Sequence, residues 1–476
     1  MGRTFEVNEH DTPERESASQ EEAWQGLRMT SAPDPNAQQS ERAALRSLAA
    51  KPFPARLRGY LRMLGPGYMQ SAMTLGGGTV SSALFAGAVF GYQLLWVAPL
   101  AMALGVVMLA AISWQTLSTG ARPWPAMREH AGPFFAWSWA IGALLSSLIW
   151  QFAQYALASA VLVDLADLAG WSDAPPFLMG LGVLAWAIVI SSVYGRSSGA
   201  IRIYERILQT MVWGVVLCFA WVVFQTGLPD WGELWRGFFT FEIPSTRNGV
   251  AASTLVLSGL SAAVGVNMVF LYPYTLLAKG WGRDHRELSI VDLVVGMFLP
   301  YTIAVSLIVI ATAHSIHLDP AYEGMKLSPV EAAQVLAGSI GETGGRLVFG
   351  LGVLGMALSS ITLQMLTCGF VAVELLGLTV GSQAHRLATW IPVPGVIGSV
   401  YWSDIAVWVA VPTNIICGLF LPATYLGFCL LQRRSAYLGE DLPGGFSGGI
   451  WLAAMFGVTG FLSAFLIWYV WGSMGL

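Results

Sequence analysis

The sequence predicts an all-helical, polytopic membrane protein of about 11 transmembrane helices, arranged as two inverted five-helix repeats with the first and sixth helices discontinuous. Three observations carry this. The 476 residues are 55% hydrophobic and only 11% charged, against about 25% charged in soluble domains. The apolar residues fall into runs long enough to cross roughly 30 Å of hydrocarbon. The first and sixth runs are long and internally punctuated, the spacing expected when broken helices from two inverted repeats meet at the bilayer midplane.

Taken in order, residues 1–50 are polar and rich in Glu, Ser, Gln and Pro, which predicts a disordered cytoplasmic tail. They contain no apolar stretch of the kind a signal peptide needs. Residues 51–63 form a basic juxtamembrane collar with Lys51, Arg56, Arg58 and Arg62. The spans are then Leu64–Phe90, Gln93–Leu117, Ala136–Leu165, Phe177–Val193, Ile207–Phe224, Ala251–Ala278, Ile290–Ala313, Leu347–Val373, Leu387–Tyr401, Ile405–Leu431 and Gly449–Trp471. Residues 64–431 make a ten-helix transporter core, and 432–476 a cytoplasmic loop and an eleventh helix. The ninth segment is the weakest, being short and carrying Pro392 and Pro394. With the N-terminus inside, only Arg236, Arg247, Lys326 and Arg346 of the 24 lysines and arginines lie outside, as the positive-inside rule requires. The chain therefore reads as a multi-pass protein of a plasma or inner membrane. Cys218, Cys368, Cys417 and Cys429 all lie in apolar segments, with no disulfide or zinc spacing.

The interruption in the first span is Gly76-Gly77-Gly78-Thr79. Each glycine costs a helix about 1 kcal/mol relative to alanine, so three in a row favour local unwinding over close helix packing. The sixth span is punctuated around Gly265, Asn267 and Met268, with Tyr272 and Pro273 following. Gly76, Gly77, Gly78, Thr79, Gly265, Asn267, Met268 and Asn414 are thus the expected substrate-binding residues. Unwound backbone adds carbonyls at Gly76 and Gly265, which with Thr79 and Asn267 could ligate a metal ion. Ser359, Ser360 and Gln364 add further polar atoms to the predicted centre. Gln151, Gln154 and Tyr272 are expected along the pathway; the two glutamines stand one turn apart on one helix face. Each has a blander reading, since membrane Asn and Gln often only hydrogen-bond between helices. His314 and His317 with Asp319 have a metal-like spacing in an outer loop. No carboxylate, lysine, arginine or histidine falls in the middle of a predicted span; Asp164, Asp167, Asp292, Glu374 and Asp404 lie at span ends. No catalytic constellation is present, so the chain is read as no enzyme and as needing no cofactor. A nucleic-acid surface is likewise missing. The expected partners are a transported ion or small solute and the lipid bilayer.

Several stretches resemble one family. They are Leu64-Gly65-Pro66-Gly67, the run from Ala86 to Trp96 (Ala-Gly-Ala-Val-Phe-Gly-Tyr-Gln-Leu-Leu-Trp), the run from Gly350 to Thr362 and the Arg202/Glu205 stretch. Together they are similar to the Nramp proton-coupled divalent-metal transporters, which implies a LeuT-like fold over about Leu64 to Leu431. The functional motifs depart from the family. Its Asp-Pro-Gly-Asn becomes Gly76-Gly77-Gly78-Thr79, its Met-Pro-His becomes Asn267-Met268-Val269, and its Asp-x-x-Glu becomes Gln151 and Gln154. A register shift of one would instead put Met268 at the thioether ligand position. Glutamine does not titrate, so the resemblance implies transport of a divalent cation without the usual proton route. Oxygen donors favour hard ions, and magnesium keeps several of its waters; some similarly altered relatives are regarded as magnesium transporters. A transporter of a neutral or zwitterionic solute, and a transport-incompetent sensor, are the alternatives.

Overall fold

The structure, a computed structural model, describes residues 26–31, 35–227, 230–247, 249–317, 342–402 and 406–473. Asp319, Lys326 and Asp404 lie outside the described residues.

Ahead of the first span stand two short helices, α1 (Pro35–Ala49) and α2 (Phe53–Tyr60). The disorder expected of residues 1–50 therefore does not hold for the second half of that segment. Two attachments explain the difference: Leu45 is buried, and Arg46 pairs with Asp284 at 3.2 Å. The basic collar is helical for the same reason, with Arg56 3.2 Å from Glu287 and the Tyr60 hydroxyl donating to Glu287 at 3.0 Å.

The first span is two helices, α3 (Pro66–Thr74) and α4 (Gly77–Phe90), bent by 54°. Leu75 (φ −73°, ψ 66°) leaves the helical region and Gly76 is extended (φ −117°, ψ −176°). There follow α5 (Val97–Thr119), α6 (Pro123–His130), α7 (Pro133–Leu168), α8 (Pro176–Val193), α9 (Ser198–Thr226) and the interfacial α10 (Trp231–Phe239). The sixth span repeats the break, as α11 (Ala252–Ala263) and α12 (Val266–Lys279) separated by extended Val264 and Gly265. Next, α13 (Arg286–Leu293) runs through a π-helical turn at Val294–Phe298 into α14 (Leu299–Ser315); Pro300, which lacks the N–H of an ordinary ladder, sits just beyond that turn. The chain closes with α15 (Glu342–Leu376), α16 (Gln383–Ala388), α17 (Gly398–Tyr401), α18 (Ala406–Gly418), α19 (Leu421–Leu431), α20 (Ser435–Leu438) and α21 (Gly445–Ser473).

Helices dominate because a bilayer offers the backbone no partners outside its own segment. By length and composition, nine described helices can span a membrane, and the bent α3–α4 pair makes ten. The ninth expected segment is not one helix. Pro392 and Pro394 withhold two N–H donors, and it forms a 3-10 turn, Val393–Ile397, followed by α17. Gly395 and Gly398 let it press against the α7 backbone at Gln151 and Phe152. The two halves correspond in a further way. Their third spans, α7 with 36 residues and α15 with 35, are the longest helices among the described residues, and they pack against each other. This pair holds the two breaks in place.

Candidate substrate site

The two breaks face each other across a cavity of about 30 Å³, room for roughly one or two water-sized species. Of the residues expected at the substrate site, Gly76, Gly78, Thr79, Gly265, Asn267, Met268 and Asn414 line it, as does Gln154. None of the lining residues is charged. Among the described residues, no group of three His, Cys, Asp or Glu is placed to hold a metal ion.

Each terminus created by the breaks is satisfied by a side chain. Gln154 caps the start of α4: its Oε1 accepts from Gly77 N–H at 2.9 Å, while its Nε2 donates to Ser360 Oγ at 3.0 Å. At the end of α3, Ser359 and Ser360 donate their hydroxyls to the carbonyls of Ala72 (2.9 Å) and Met73 (3.3 Å). Thr79 donates to Thr74 O at 2.5 Å. The Thr74 hydroxyl lies 2.9 Å from Gln70 O in its own helix, 3.2 Å from Ala263 O and 3.3 Å from Met268 Sδ, which places it between one break and the other. Asn414 Nδ2 reaches Gly78 O (3.1 Å), Ser82 Oγ (3.1 Å) and Ser258 Oγ (2.8 Å). A carbonyl can only accept, so the Gly78 contact fixes which end of the Asn414 amide is nitrogen. Its Oδ1 is then left buried without a partner among the described residues, as is Oε1 of Gln364.

Several expectations need adjusting. The carbonyls of Gly76 and Gly265 are not freed by the breaks, since they accept the helical N–H groups of Val80 and Val269, both at 3.1 Å. Gly77 donates to Gln154 instead of lining the cavity. Gln151 is outside it as well, donating from Nε2 to Ile361 O at 3.1 Å, the interhelical role that is the ordinary fate of such a residue. Tyr272 is buried but does not line the cavity. Asn267 and Met268 both do, so the one-residue ambiguity in register does not decide between them. His314 and His317 share a separate cavity with Asp230, Glu233 and Glu242. Both nitrogens of His317 are engaged there, with Ala88 O at 3.0 Å and Arg247 at 3.2 Å.

Other residues were not signalled by motif. Thr74, Trp150 and Ser261 also line the cavity. Beneath it, at the start of α3, Asp292 is fully buried and accepts from the N–H groups of Gly65 (2.9 Å) and Gly67 (2.5 Å). Beside Gly65, Glu205 pairs with Lys279 at 2.8 Å. The signal for this cluster was a half-helix beginning Gly-Pro-Gly with no local capping side chain, which obliges a distant acceptor to serve. Toward the other end of α4 a second cavity of about 30 Å³ shares Thr79 and is closed by Leu94, Tyr301, Val305 and Val309. A charged cluster thus lies on the tail side of the site and a mostly apolar constriction on the other.

A helical bundle whose two broken spans enclose a small polar cavity is the architecture of LeuT-like secondary transporters, and solved structures agree. A manganese transporter from Eremococcus coleocola superposes with a TM-score of 0.67 at 13% identity, covering 93% of this chain and 97% of its own. MhsT, in complex with L-phenylalanine, superposes with a TM-score of 0.52 at 12% identity, over 84% and 97% of the two chains. Residues 67–469 match the Nramp family, described as natural resistance-associated macrophage protein-like, and the chain belongs to that family. Its relatives include the divalent metal cation transporter MntH of Agrobacterium fabrum, 21% identical over 86% of each protein. The iron transporter SMF3 of Saccharomyces cerevisiae is 22% identical, over 70% of this chain and 72% of that one.

Proposed function

We propose that this chain is a secondary transporter that moves a hard divalent cation, such as Mg2+ or Mn2+, by alternating access and without the proton route usual in its family. The observation that carries the reading is the donor set at the breaks. Thr79 and Asn267 bring oxygens to a neutral cavity, the Asn267 Oδ1 already accepting from Met268 N–H at 3.0 Å, and Asn414 Oδ1 and Gln364 Oε1 bring buried amide oxygens without partners among the described residues. Oxygen donors suit hard cations, and a divalent ion held without a carboxylate keeps part of its hydration shell to limit its desolvation cost. Relatives that carry divalent metals and iron support the substrate class. The absence of protonatable side chains from the cavity lining supports transport uncoupled from protons. The lysine and arginine distribution supports placing the tail face in the cytoplasm. A zwitterionic organic solute fits less well, because pockets for such ligands hold roughly 300 Å³ or more.

Met73 and Met268 are the two soft donors in the lining; the sulfur of Met268 accepts from the Gly265 N–H at 3.4 Å and lies 3.3 Å from the Thr74 hydroxyl. Uptake of magnesium, manganese and cobalt into proteoliposomes carrying a pH-sensitive dye tests the assignment. The expected result is magnesium or manganese uptake with no lumenal acidification, reduced at least tenfold in Asn414→Leu. Acidification in step with uptake would overturn the uncoupled mechanism. Absence of flux for every ion from correctly folded protein would overturn the transport reading itself.

A further inference from the structure

Where the N-terminal segment meets the core, three arginines surround a cavity of about 560 Å³, well away from the helix breaks. Each is positioned by a different device. Arg28 belongs to the tail, and its backbone is fixed to the turn after α15: Val380 N–H donates to Arg28 O and Thr30 N–H donates to Val380 O, both at 2.9 Å. Arg122 precedes α6 and is held 3.1 Å from Glu374, whose side chain is almost fully buried. Arg128, on α6, lies with its guanidinium carbon 5.7 Å from the centroid of the Trp124 ring. Trp124 is itself anchored by its indole N–H, which donates to Ala136 O at 2.9 Å.

The charge balance has a definite sign. Arg122 offsets Glu374, leaving Arg28 and Arg128 against the single carboxylate of exposed Glu129. Neither Arg28 nor Arg128 has an ion-pair partner among the described residues. A volume of 560 Å³ falls in the roughly 300–1,000 Å³ range of small-molecule sites. Planar guanidinium forks match phosphate oxygens two at a time, and groups held in place before binding lose little entropy when the ligand arrives.

We propose that this cavity binds a phosphate-bearing anion, clamped between Arg28 of the tail and Arg122 and Arg128 of the core. Occupancy would fasten the tail to α6 and to the end of α15, adding a ligand-dependent bond to the backbone bridge at Val380. The phosphate has two sources. The cavity stands beside the start of α7, where Phe134 and Trp137 are exposed on a membrane-spanning helix and Trp137 meets Trp124 edge-on at 5.5 Å. A lipid headgroup can therefore enter from the bilayer side, and a soluble phosphate ester from the aqueous side.

The test reads binding and not flux, so its result is independent of the transport assignment. Thermal unfolding of the full-length protein is followed in phosphatidylcholine nanodiscs while inorganic phosphate or ATP is titrated. It is followed again in nanodiscs containing phosphatidylglycerol, with no soluble phosphate. Saturable stabilisation by phosphate or ATP, weakened about tenfold or more in Arg28→Gln and in Arg128→Gln, supports the site with a soluble ligand. Stabilisation confined to phosphatidylglycerol, with the same arginine dependence, supports the site with a lipid ligand. Arg28 is exposed and outside the core, so Arg28→Gln tests the clamp even if Arg128→Gln folds poorly. The proposal is overturned if sodium chloride of equal ionic strength stabilises as well as phosphate and phosphatidylglycerol adds no arginine-dependent stabilisation, or if Arg28→Gln responds like the wild type in every arm.

Discussion

At Gly78 a glycine is needed for contact and not for conformation. None of Gly76, Gly77 and Gly78 has a positive φ, and the chain leaves the helix at Leu75 and Gly76 while Gly77 and Gly78 are already helical. A Cβ at Gly78 would overlap the Trp150 ring and Asn414 Oδ1, two groups that line the cavity between the breaks. A ring buried between helices cannot yield as a lysine stem would. Gly78→Ala should therefore cost the fold the roughly 1–3 kcal/mol typical of overpacking, seen as a lower thermal midpoint, and abolish ion binding. Gly182→Ala, where a Cβ meets nothing within 4 Å, should change neither; equal behaviour of the two variants in melting and uptake assays would refute the contact argument. Gly76 is intermediate, since its Cβ would stand 2.6 Å from Gln154 Nε2 and 2.8 Å from Ser360 Oγ. The run of glycines marked the break in the sequence. Its second purpose could not be read there, because Trp150 and Asn414 reach Gly78 from helices far away in the chain.

Among the elements, α3 shows how a half-helix survives inside a membrane. It has nine residues, and its first N–H groups have no partner within the helix. Pro66 removes one donor, and the Asp292 carboxylate accepts from Gly65 and Gly67 on either side of it. Hydrogen bonds to a charged group are worth roughly 1.5–3 kcal/mol each. Asp292→Ala should therefore speed hydrogen exchange throughout α3, with little change in α7, and Asp292→Asn should restore part of the protection; uniform protection in both variants would disprove the capping role. In the sequence Asp292 looked like a span-end residue, because an unbroken count of apolar residues cannot show that a neighbouring helix starts at the same depth. The pairing of the first and sixth breaks was legible, since backbone chemistry leaves a local trace in Gly and Pro. The split of the ninth segment likewise left its trace in Pro392 and Pro394, whereas the identity of the capping residue and the tail contacts depend on long-range packing, which leaves none.

A second element-scale prediction concerns α16. His385 is buried, its backbone N–H is capped by Ser382 Oγ at 3.1 Å, and its Nδ1 accepts from Gly381 N–H at 3.3 Å. Burial, reinforced by neighbouring Arg386, pushes the imidazole down from 6.5 to about 4. A histidine that is harder to protonate in the folded state than in the unfolded one stabilises the fold fully above pH 6.5, and that contribution fades as the pH falls toward 4. Protonation also puts a hydrogen on Nδ1, which can then no longer accept from Gly381, beside the Val380 bridge to the tail. The melting temperature should decline between these pH values more steeply in the wild type than in His385→Asn, whose amide oxygen can replace Nδ1. Parallel pH profiles for the two proteins would count against the imidazole as the cause.

For the whole molecule, the N-terminal segment crosses the joint that would have to open on the tail side under the proposed alternating-access mechanism. It is attached first to the scaffold end of the molecule: Gly26 N–H donates to Gly120 O at 3.2 Å, and the bridge at Val380 holds Arg28 and Thr30. It is attached next to the start of the seventh span, through Arg46 to Asp284 at 3.2 Å and Glu41 to His285 at 3.6 Å. It then enters α3, whose N-terminus is already held by Asp292 and flanked by the Glu205–Lys279 pair. A strap fixed to α5, to the end of α15 and to the seventh span opposes any movement that carries α3 away from all three. Surface ion pairs contribute only about 0–1 kcal/mol each, so the strap can bias the arrangement of the tail face without locking it. Deleting residues 1–50 should leave the bundle folded, because few of its core contacts come from that segment. It should nevertheless raise hydrogen exchange at α3 and α12 selectively and increase the fraction of molecules open on the tail face. Exchange that rises equally in α7 and α15 would show instead that the segment supports the whole fold, and unchanged exchange in α3 would show that the strap carries no load at the gate.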